Sequence, residues 1–252
     1  MIWQSVLGCC SFLAVAWLLS ENRRGVSLRL VAKGLLLTFA AGLVLVKIPL
    51  SRDVFALLNR LVLALQEATA AGTSFVFGYL GGGPLPFAES YPGSSFILAF
   101  QALPMVLLMS ALSSLLFYWK VLPVVVQGFS WGLRKTLGVG GAEGLSNSVN
   151  VFVGMVEAPL FIRPYIGRMT RSELFSVMTC GMSNIAGTVM ALYASIIGER
   201  VPGVMGHILV ASVVSLPASI TIAKLMIPET GPITAGEMTM PEAAAGPRDA
   251  GT

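Results

Sequence analysis

Residues 138–165 read G-V-G-G-A-E-G-L-S-N-S-V-N-V-F-V-G-M-V-E-A-P-L-F-I-R-P-Y. An ionisable residue, Glu157, lies inside the apolar run 149–162, and Gly154 and Pro159 interrupt that run. A helix that crosses a bilayer needs about 20 apolar residues without such breaks. The run is too short and too interrupted to predict a continuous span.

Non-helical backbone is tolerated within a bilayer only where protein or a water-filled cavity satisfies its amides and carbonyls. We therefore predict a re-entrant hairpin with Glu157 near its tip. A carboxylate at that depth costs roughly a few kcal/mol and is by default a functional-site hypothesis. The alternative is a structural Glu157 whose charge is satisfied by a neighbouring helix.

The composition of the whole chain is that of an integral membrane protein. Of its 252 residues, 55% are hydrophobic and only 11% are charged, and the mean hydropathy is +0.81. By these values the chain is far more apolar than an average soluble domain. The net charge of +4 comes from residues between the apolar blocks, so it concerns orientation in the membrane and does not indicate a nucleic-acid partner.

The order of the apolar blocks predicts an all-α membrane protein with five transmembrane helices, one re-entrant helical hairpin and two interfacial amphipathic helices. We place the spans at residues 2–19, 25–50, 95–118, 170–197 and 203–227, the hairpin at 138–165, and the amphipathic helices at 51–71 and 121–137. The stretch 73–93 is dense in Gly, Pro and aromatic residues, which is typical of an ordered loop near the interface.

This order divides the chain into three regions. We predict scaffold helices over residues 1–137, one half of a transport domain over 138–227, and a disordered cytoplasmic tail over 228–252, where the sequence is rich in Pro, Gly and Ala. Arg23 and Arg24 follow the first span and do not precede it. The positive-inside rule then predicts a multi-pass protein of the cytoplasmic membrane with its amino terminus outside and its carboxy terminus inside.

A second interrupted segment follows the hairpin. The tetrapeptide T-R-S-E at residues 170–173 has the spacing of a capping box, and the helix that it starts contains C-G-M-S-N-I-A-G-T at residues 180–188. That composition is typical of a helix that unwinds or packs closely at mid-membrane. A hairpin beside a broken helix is the arrangement with which secondary transporters bind a polar solute or an ion.

The sequence does not indicate an enzyme. It contains no metal-ligand spacing and no nucleophile–base pattern, so we predict no catalytic residue and no cofactor. A membrane protein with an assembly or regulatory role, which itself transports nothing, is the alternative class.

Three segments resemble a known family. They are N-V-F-V-G-M-V-E-A-P-L-F-I-R-P-Y at 150–165, M-T-R-S-E-L-F-S-V-M-T-C-G-M-S-N-I-A-G-T-V-M-A-L-Y-A at 169–194, and L-P-A-S-I-T-I-A-K-L-M-I-P-E-T at 216–230. They are similar to the concentrative nucleoside transporter family, whose hairpin reads close to N-x-F-x-G-Q-T-E-A-P-L-x-x-R-P-Y. The resemblance covers roughly residues 72–230.

This resemblance implies a homotrimeric symporter that takes up nucleosides on a proton or sodium gradient, with a fold built from inverted repeats of which this chain carries one half. It implies that the nucleoside contacts Met155, Val156, Glu157 and Val189. It also implies a coupling-ion site, for Na⁺ in sodium-coupled members, formed by the backbone carbonyls of Asn150, Val153 and Ile185 and by the side chain at Asn184.

The chain departs from the family pattern at three of these positions. Met155 replaces the Gln that reads the base, Val156 replaces a hydroxyl residue, and Asn184 replaces a Ser. Because hard cations prefer oxygen ligands, we expect weak sodium coupling and a proton, through Glu157, as the driving ion.

The family also continues beyond P-E-T with a second half. We therefore expect this chain to be incomplete as a transporter. The alternative function is a non-transporting membrane fragment, or the assembly or regulatory half of a split transporter.

The predicted orientation can be tested by labelling. In a variant without the three native cysteines, single cysteines near Arg23 and Arg168 should resist an impermeant thiol reagent in intact cells. A cysteine near Arg200 should react, because that loop is predicted to lie outside. The opposite labelling pattern would refute the topology.

Overall fold

The structure is a computed structural model that describes residues 2–47, 49–88, 95–155, 158–185, 189–190, 192–193, 197, 201 and 204–234. This described part is helical and contains no strand. The α-helices are α1 Ile2–Leu18, α2 Leu28–Lys47, α3 Pro49–Phe77, α4 Leu98–Gln101, α5 Leu103–Tyr118, α6 Val121–Leu137, α7 Gly141–Asn150, α8 Ala158–Phe161, α9 Arg171–Ser183 and α10 Val204–Met226. Short 3₁₀ helices cover Gly78–Gly81 and Arg163–Arg168.

Three described segments are long and apolar enough to cross a membrane, namely Leu28–Leu45, Leu98–Tyr118 and Gly206–Met226. Helix α1 contains a shorter apolar segment, Val6–Leu18. Large apolar side chains such as Leu36 and Phe39 of α2 are mostly exposed. A surface of this kind is covered by lipid or by a protein partner. The all-helical membrane fold is confirmed, whereas the count of five spans stays a prediction.

Local signals in the sequence placed several helix ends correctly. Helix α6 occupies the predicted amphipathic segment 121–137. It is terminated by Gly138, the next residue, which has φ 68°. The capping box is present, because Thr170 Oγ1 accepts a hydrogen bond from the Glu173 amide and the Thr170 amide donates to the Glu173 carboxylate. Helix α9 ends at Ser183, so the predicted break near residue 184 is confirmed.

One helix boundary was predicted wrongly. Helix α3 runs to Phe77, so the segment 73–77 is helical where we expected a loop. The helix continues until Gly78, which has φ 59° and leads into the 3₁₀ turn. Helices α4 and α5 are separated at Ala102, because Pro104 in the first turn of α5 cannot donate a helical hydrogen bond.

Disorder beginning at residue 228 is also wrong for residues 228–234. The Thr234 amide and hydroxyl donate to Glu173 Oε1 at 2.9 and 2.7 Å, and Thr234 is buried. A Pro- and Gly-rich segment can be ordered by a few such bonds, which composition does not reveal. The remainder of the predicted tail, 235–252, lies outside the described residues.

Helix α10 packs against α2 on one side and against α9 on the other, while α7 packs between α6 and α9. The α2–α10 contact is close because Gly34 has no side chain. A Cβ at Gly34 would overlap Thr221 Oγ1 and lie 3.0 Å from Thr221 Cβ. The division between scaffold and transport regions at residue 137 stays a prediction, since α6 and α7 pack directly on one another.

Replacing Gly34 should therefore separate α2 from α10. We expect Gly34→Ala to lower the free energy of unfolding by about 1–3 kcal/mol, since overpacking a tight contact has this cost. Thermal unfolding of the purified chain in detergent measures the change, and Thr221→Ala should recover part of the loss. Gly42→Ala on the same helix is the control, because the nearest atom to a Cβ there is 3.8 Å away. Equal effects at Gly34 and Gly42 would contradict the close contact.

Candidate functional site

A polar stripe runs along one face of α7, because four of its residues are spaced i, i+3, i+4 and i+7. The residues of this α7 stripe are Glu143, Ser146, Asn147 and Asn150, and all four are buried. A buried polar side chain needs a hydrogen-bond or charge partner. One such partner is on α9, where Ser176 Oγ accepts a hydrogen bond from Asn147 Nδ2 at 3.3 Å.

The beginning of α7 is capped by the segment that follows α10. The Thr234 carbonyl accepts a hydrogen bond from the Gly141 amide at 3.0 Å, and Thr234 Oγ1 accepts one from the Ala142 amide at 3.3 Å. The first amides of a helix have no partner within the helix, so Thr234 supplies the partners. Because Thr234 also donates to Glu173, the first turn of α7 is joined to the first turn of α9.

Gly140 makes this junction possible. A Cβ at Gly140 would overlap Glu173 Oε1 and would lie 2.6 Å from Thr234 Oγ1. Only a residue without a side chain leaves room for both groups.

Lys224 of α10 lies between two carboxylates. Its Nζ is 3.0 Å from Glu143 Oε2 and 3.0 Å from Glu229 Oε2. Glu143 and Lys224 are buried, whereas the Glu229 side chain is 21% exposed. Burial raises the pKa of the Glu143 carboxyl, which lies outside the three apolar spans, and the Lys224 ammonium opposes that rise. These ion pairs attach the base of α7 to α10, since a buried charge without its partner is strongly destabilising.

The far end of the α7 stripe meets the end of α9. Asn150 Nδ2 donates to the Cys180 carbonyl at 3.0 Å, and Asn184 Nδ2 donates to Cys180 Sγ at 3.1 Å. The Ser215 hydroxyl of α10 donates to Asn184 Oδ1. Asn184 itself is extended, with φ −106° and ψ 155°, and this conformation ends the helix. Helices α7, α9 and α10 therefore place polar groups around one point.

The turn after α7 lies against the same point. Gly154 has φ 132°, a conformation that favours glycine, and its carbonyl accepts a hydrogen bond from the Ala158 amide at 2.9 Å. A Cβ on Gly181 of α9 would lie 3.2 Å from Met155 Cβ. Helix α7 and the turn at Gly154 thus pack against α9, and α8 packs against α7. The insertion of this segment into the membrane as a re-entrant hairpin stays a prediction.

The structure brings together some of the predicted site residues and not others. Asn150, Met155 and Asn184 meet at the end of α9. The side chains of Val153 and Ile185 pack in separate apolar clusters, Val153 with Val149 and its neighbours and Ile185 with Met105, Met190 and Val204. The ion role expected of these two residues belongs to their backbone carbonyls, and it stays a prediction. Val189 is half-buried, and Met155 is 59% exposed. Val156 and Glu157 lie outside the described residues, so their placement is not tested.

Sequence reasoning missed the four charged residues at the base of the hairpin. These are Glu143, Glu173, Lys224 and Glu229, which were given no role beyond the capping of α9. Two signals were available: Lys224 is a cation within an apolar span, and the polar residues of α7 follow a helical spacing.

Comparison with known proteins gives the site its context. The family profile described as "Na+ dependent nucleoside transporter N-terminus" matches residues 7–80, and the profile described as "Nucleoside recognition" matches residues 99–200. The chain belongs to the concentrative nucleoside transporter family. Members of this family are transporters and not enzymes.

Curated relatives agree with this assignment. The chain is 32% identical to "Nucleoside permease NupC" of Helicobacter pylori over 231 residues, which covers 91% of this chain and 53% of the relative. It is 35% identical to "Sodium/nucleoside cotransporter 2" of Rattus norvegicus, covering 89% of this chain and 32% of the relative. An uncharacterized transporter of Haemophilus influenzae is 36% identical, with coverage of 92% and 53%. The chain thus spans about half the length of the bacterial relatives that it matches.

Solved structures show the same fold. CNTnw in an inward-facing substrate-bound state matches with a TM-score of 0.83 and 34% identity, over 93% of this chain and 54% of that chain. A CNTnw variant in an outward-facing state also matches with a TM-score of 0.83, at 33% identity, over 96% and 56% of the two chains.

The junction at Gly140 yields a prediction. We expect Gly140→Ala to lower the free energy of unfolding by about 2 kcal/mol or more, because displacing Thr234 leaves buried polar groups of Glu173 and α7 without partners. Thermal unfolding in detergent measures this loss. Gly132→Ala is the control, since a Cβ at Gly132 meets no atom within 4 Å. A Gly140→Ala variant as stable as the control would show that the junction contributes little.

Proposed function

We propose that this chain supplies the hairpin and the broken helix of a nucleoside symporter in the cytoplasmic membrane. The observation that carries the proposal is the meeting of Asn150, Met155 and Asn184 at the end of α9. A helix that ends within a transporter leaves carbonyl groups free to bind a solute or an ion. The names of the curated relatives support nucleosides as the solute.

The end of α9 is suited to a cation. The carboxyl end of a helix carries a partial negative charge, and Asn150 Oδ1 is a buried acceptor to which no described residue donates a hydrogen bond. We assign the coupling ion to Asn150, Val153, Asn184 and Ile185. Asn184 Oδ1 is already engaged by the Ser215 hydroxyl, and Val156 offers no side-chain oxygen. A proton is therefore our first choice of coupling ion, and sodium is the second.

The nucleoside is assigned to the turn of the hairpin and to the continuation of the broken helix. Met155 is exposed beside Gly181, where a base can contact it. Glu157 supplies the carboxylate for the hydrogen bonds of the base, and Val156 and Val189 supply apolar contacts. The exposed apolar helices fit an assembly in lipid, which we propose is a homotrimer with the amino terminus of each copy outside.

A substitution at Glu157 tests the assignment of the solute. Uptake of labelled nucleosides into proteoliposomes is measured for the chain alone and for the chain co-expressed with the remaining part of a relative such as Helicobacter pylori NupC. We expect uptake only in the second case, because alternating access in repeat-built transporters moves inverted halves around one site. Glu157→Gln should abolish this uptake, since an ionisable residue within an apolar membrane segment is typically functional.

The matched control is Glu67→Gln, because Glu67 is an exposed acidic residue of α3, far along the chain from the hairpin. Replacing sodium by choline at fixed pH identifies the coupling ion: surviving uptake indicates a proton, and collapse indicates sodium. Wild-type uptake by Glu157→Gln would exclude Glu157 from the site. No uptake under either condition would favour the non-transporting assembly role.

A further inference from the structure

The α7 stripe carries more buried oxygen atoms than the described residues satisfy. No described residue donates a hydrogen bond to Ser146 Oγ or to Asn147 Oδ1, whereas Glu143 Oε2 is paired with Lys224 Nζ at 3.0 Å. Glu143, Ser146 and Asn147 are at most 1% exposed, so bulk water does not reach them. Unpartnered buried oxygen atoms are rare in native proteins and indicate an ion, a bound water or a functional role.

The three residues Glu143, Ser146 and Asn147 lie close together. Glu143, Ser146 and Asn147 are at i, i+3 and i+4 on α7, which places them on one side of the helix within about one turn. Asn147 bonds to Ser176 of α9, and the same Ser176 hydroxyl lies close enough to the Glu143 carboxylate to influence it. The α7–α9 interface therefore contains one oxygen-lined cluster at this position.

The charge of this region is negative. Lys224 is shared by Glu143 and Glu229, so these three residues leave one negative charge in excess. Glu173 adds another carboxylate, which three hydrogen bonds from Thr170 and Thr234 stabilise. Arg134 of α6 passes beside Gly144 and adds one positive charge, so these five side chains together leave one negative charge in excess. A buried excess charge is costly unless a counter-charge accompanies it.

A cavity lies on the Glu229 side of Lys224. This cavity, of about 420 Å³, is lined by Glu229 together with Glu21, Thr170 and Arg171. Glu229 Oε2 accepts hydrogen bonds from Thr170 Oγ1 at 2.9 Å and from Lys224 Nζ at 3.0 Å, and Lys224 reaches Glu143 directly. Lys224 thus links Glu143 to Glu229, which lines the cavity.

We propose that Glu143, Ser146 and Asn147 form a binding position for a small monovalent cation of the Na⁺ class, reached from the cavity at Glu229. Glu143 supplies charge, and Ser146 and Asn147 supply neutral oxygen ligands of the kind that hard cations prefer. Asn147 lies one turn of α7, about 5 Å, from Asn150. The position is therefore separate from the ion residues at the end of α9. The inference extends the proposed function, but it concerns cation binding and not transport.

The test is the dependence of thermal unfolding on Na⁺ for the purified chain of 252 residues in detergent. Choline chloride keeps the ionic strength constant, and all samples are held at one pH near 8. Stabilisation by a bound ligand rises with its concentration relative to its Kd, so we expect saturable stabilisation of the native chain by NaCl. Ser146→Ala and Asn147→Ala should each raise the half-saturating Na⁺ concentration at least tenfold.

Ser148→Ala is the matched control, because Ser148 is equally buried on α7 but its hydroxyl donates to the Gly144 carbonyl at 2.7 Å. It should change the unfolding temperature equally at all Na⁺ concentrations and leave half-saturation unchanged. If Ser146 had no ligand, Ser146→Ala would behave in the same way, so a parallel shift in both serine variants would overturn the proposal.

The second comparison separates this position from the end of α9. Asn184→Ala should retain the Na⁺ response that Ser146→Ala weakens. Loss of the response in Asn184→Ala, with Ser146→Ala and Asn147→Ala unaffected, would mean a single ion site and would overturn the proposal. Stabilisation by lower pH without any by Na⁺ would overturn it as well, because the cluster would then take up a proton. Failure of nucleoside uptake would leave this result unchanged, since the measurement uses no nucleoside.

Discussion

The ion pairs of Lys224 with Glu143 and Glu229 constrain the rest of the site. Neither Glu143 nor Lys224 reaches solvent, and a buried charge is stable only beside its counter-charge. Because the two residues belong to different helices, the base of the hairpin cannot leave α10 without exposing or stranding a charge. Glu173 adds a second attachment through Thr234, which caps α7 and binds α9. The first turns of α7 and α9 and the end of α10 consequently form one polar junction.

The two ends of the hairpin are held by interactions of different strength. Charged and charge-assisted hydrogen bonds hold its base, and these are roughly twice as strong as neutral ones. The turn is held by the contact of Met155 with Gly181 and, one turn earlier, by a neutral amide bond from Asn150 to the Cys180 carbonyl. The hairpin therefore combines a firmly attached base with a more weakly attached turn.

The outer surface is apolar, in contrast to the polar interface of the hairpin. Leucine and phenylalanine side chains cover the outside of α2, while polar side chains occupy the interface of α7, α9 and α10. In a bilayer, lipid competes with apolar side chains for contact, so helices associate through small residues and hydrogen bonds. Gly34, Gly140 and Gly181 are the small residues at the three closest contacts described above. The apolar exterior and the close contacts at glycine are both expected of helices surrounded by lipid.

The sequence by itself determined the all-helical membrane character, the bounds of α6, the capping box of α9 and the break at Asn184. It did so because hydropathy, helix caps and glycine conformations are local properties, expressed within one or two turns of a helix. Only the tertiary structure decided that α3 continues to Phe77, that Thr234 caps α7, and that Lys224 joins Glu143 to Glu229. Thr234 and Glu173 are 61 residues apart in the chain, and no local pattern marks one as the partner of the other. Long-range pairs of this kind form because folding removes both groups from water, and each then needs the partner that the packing of the helices brings to it.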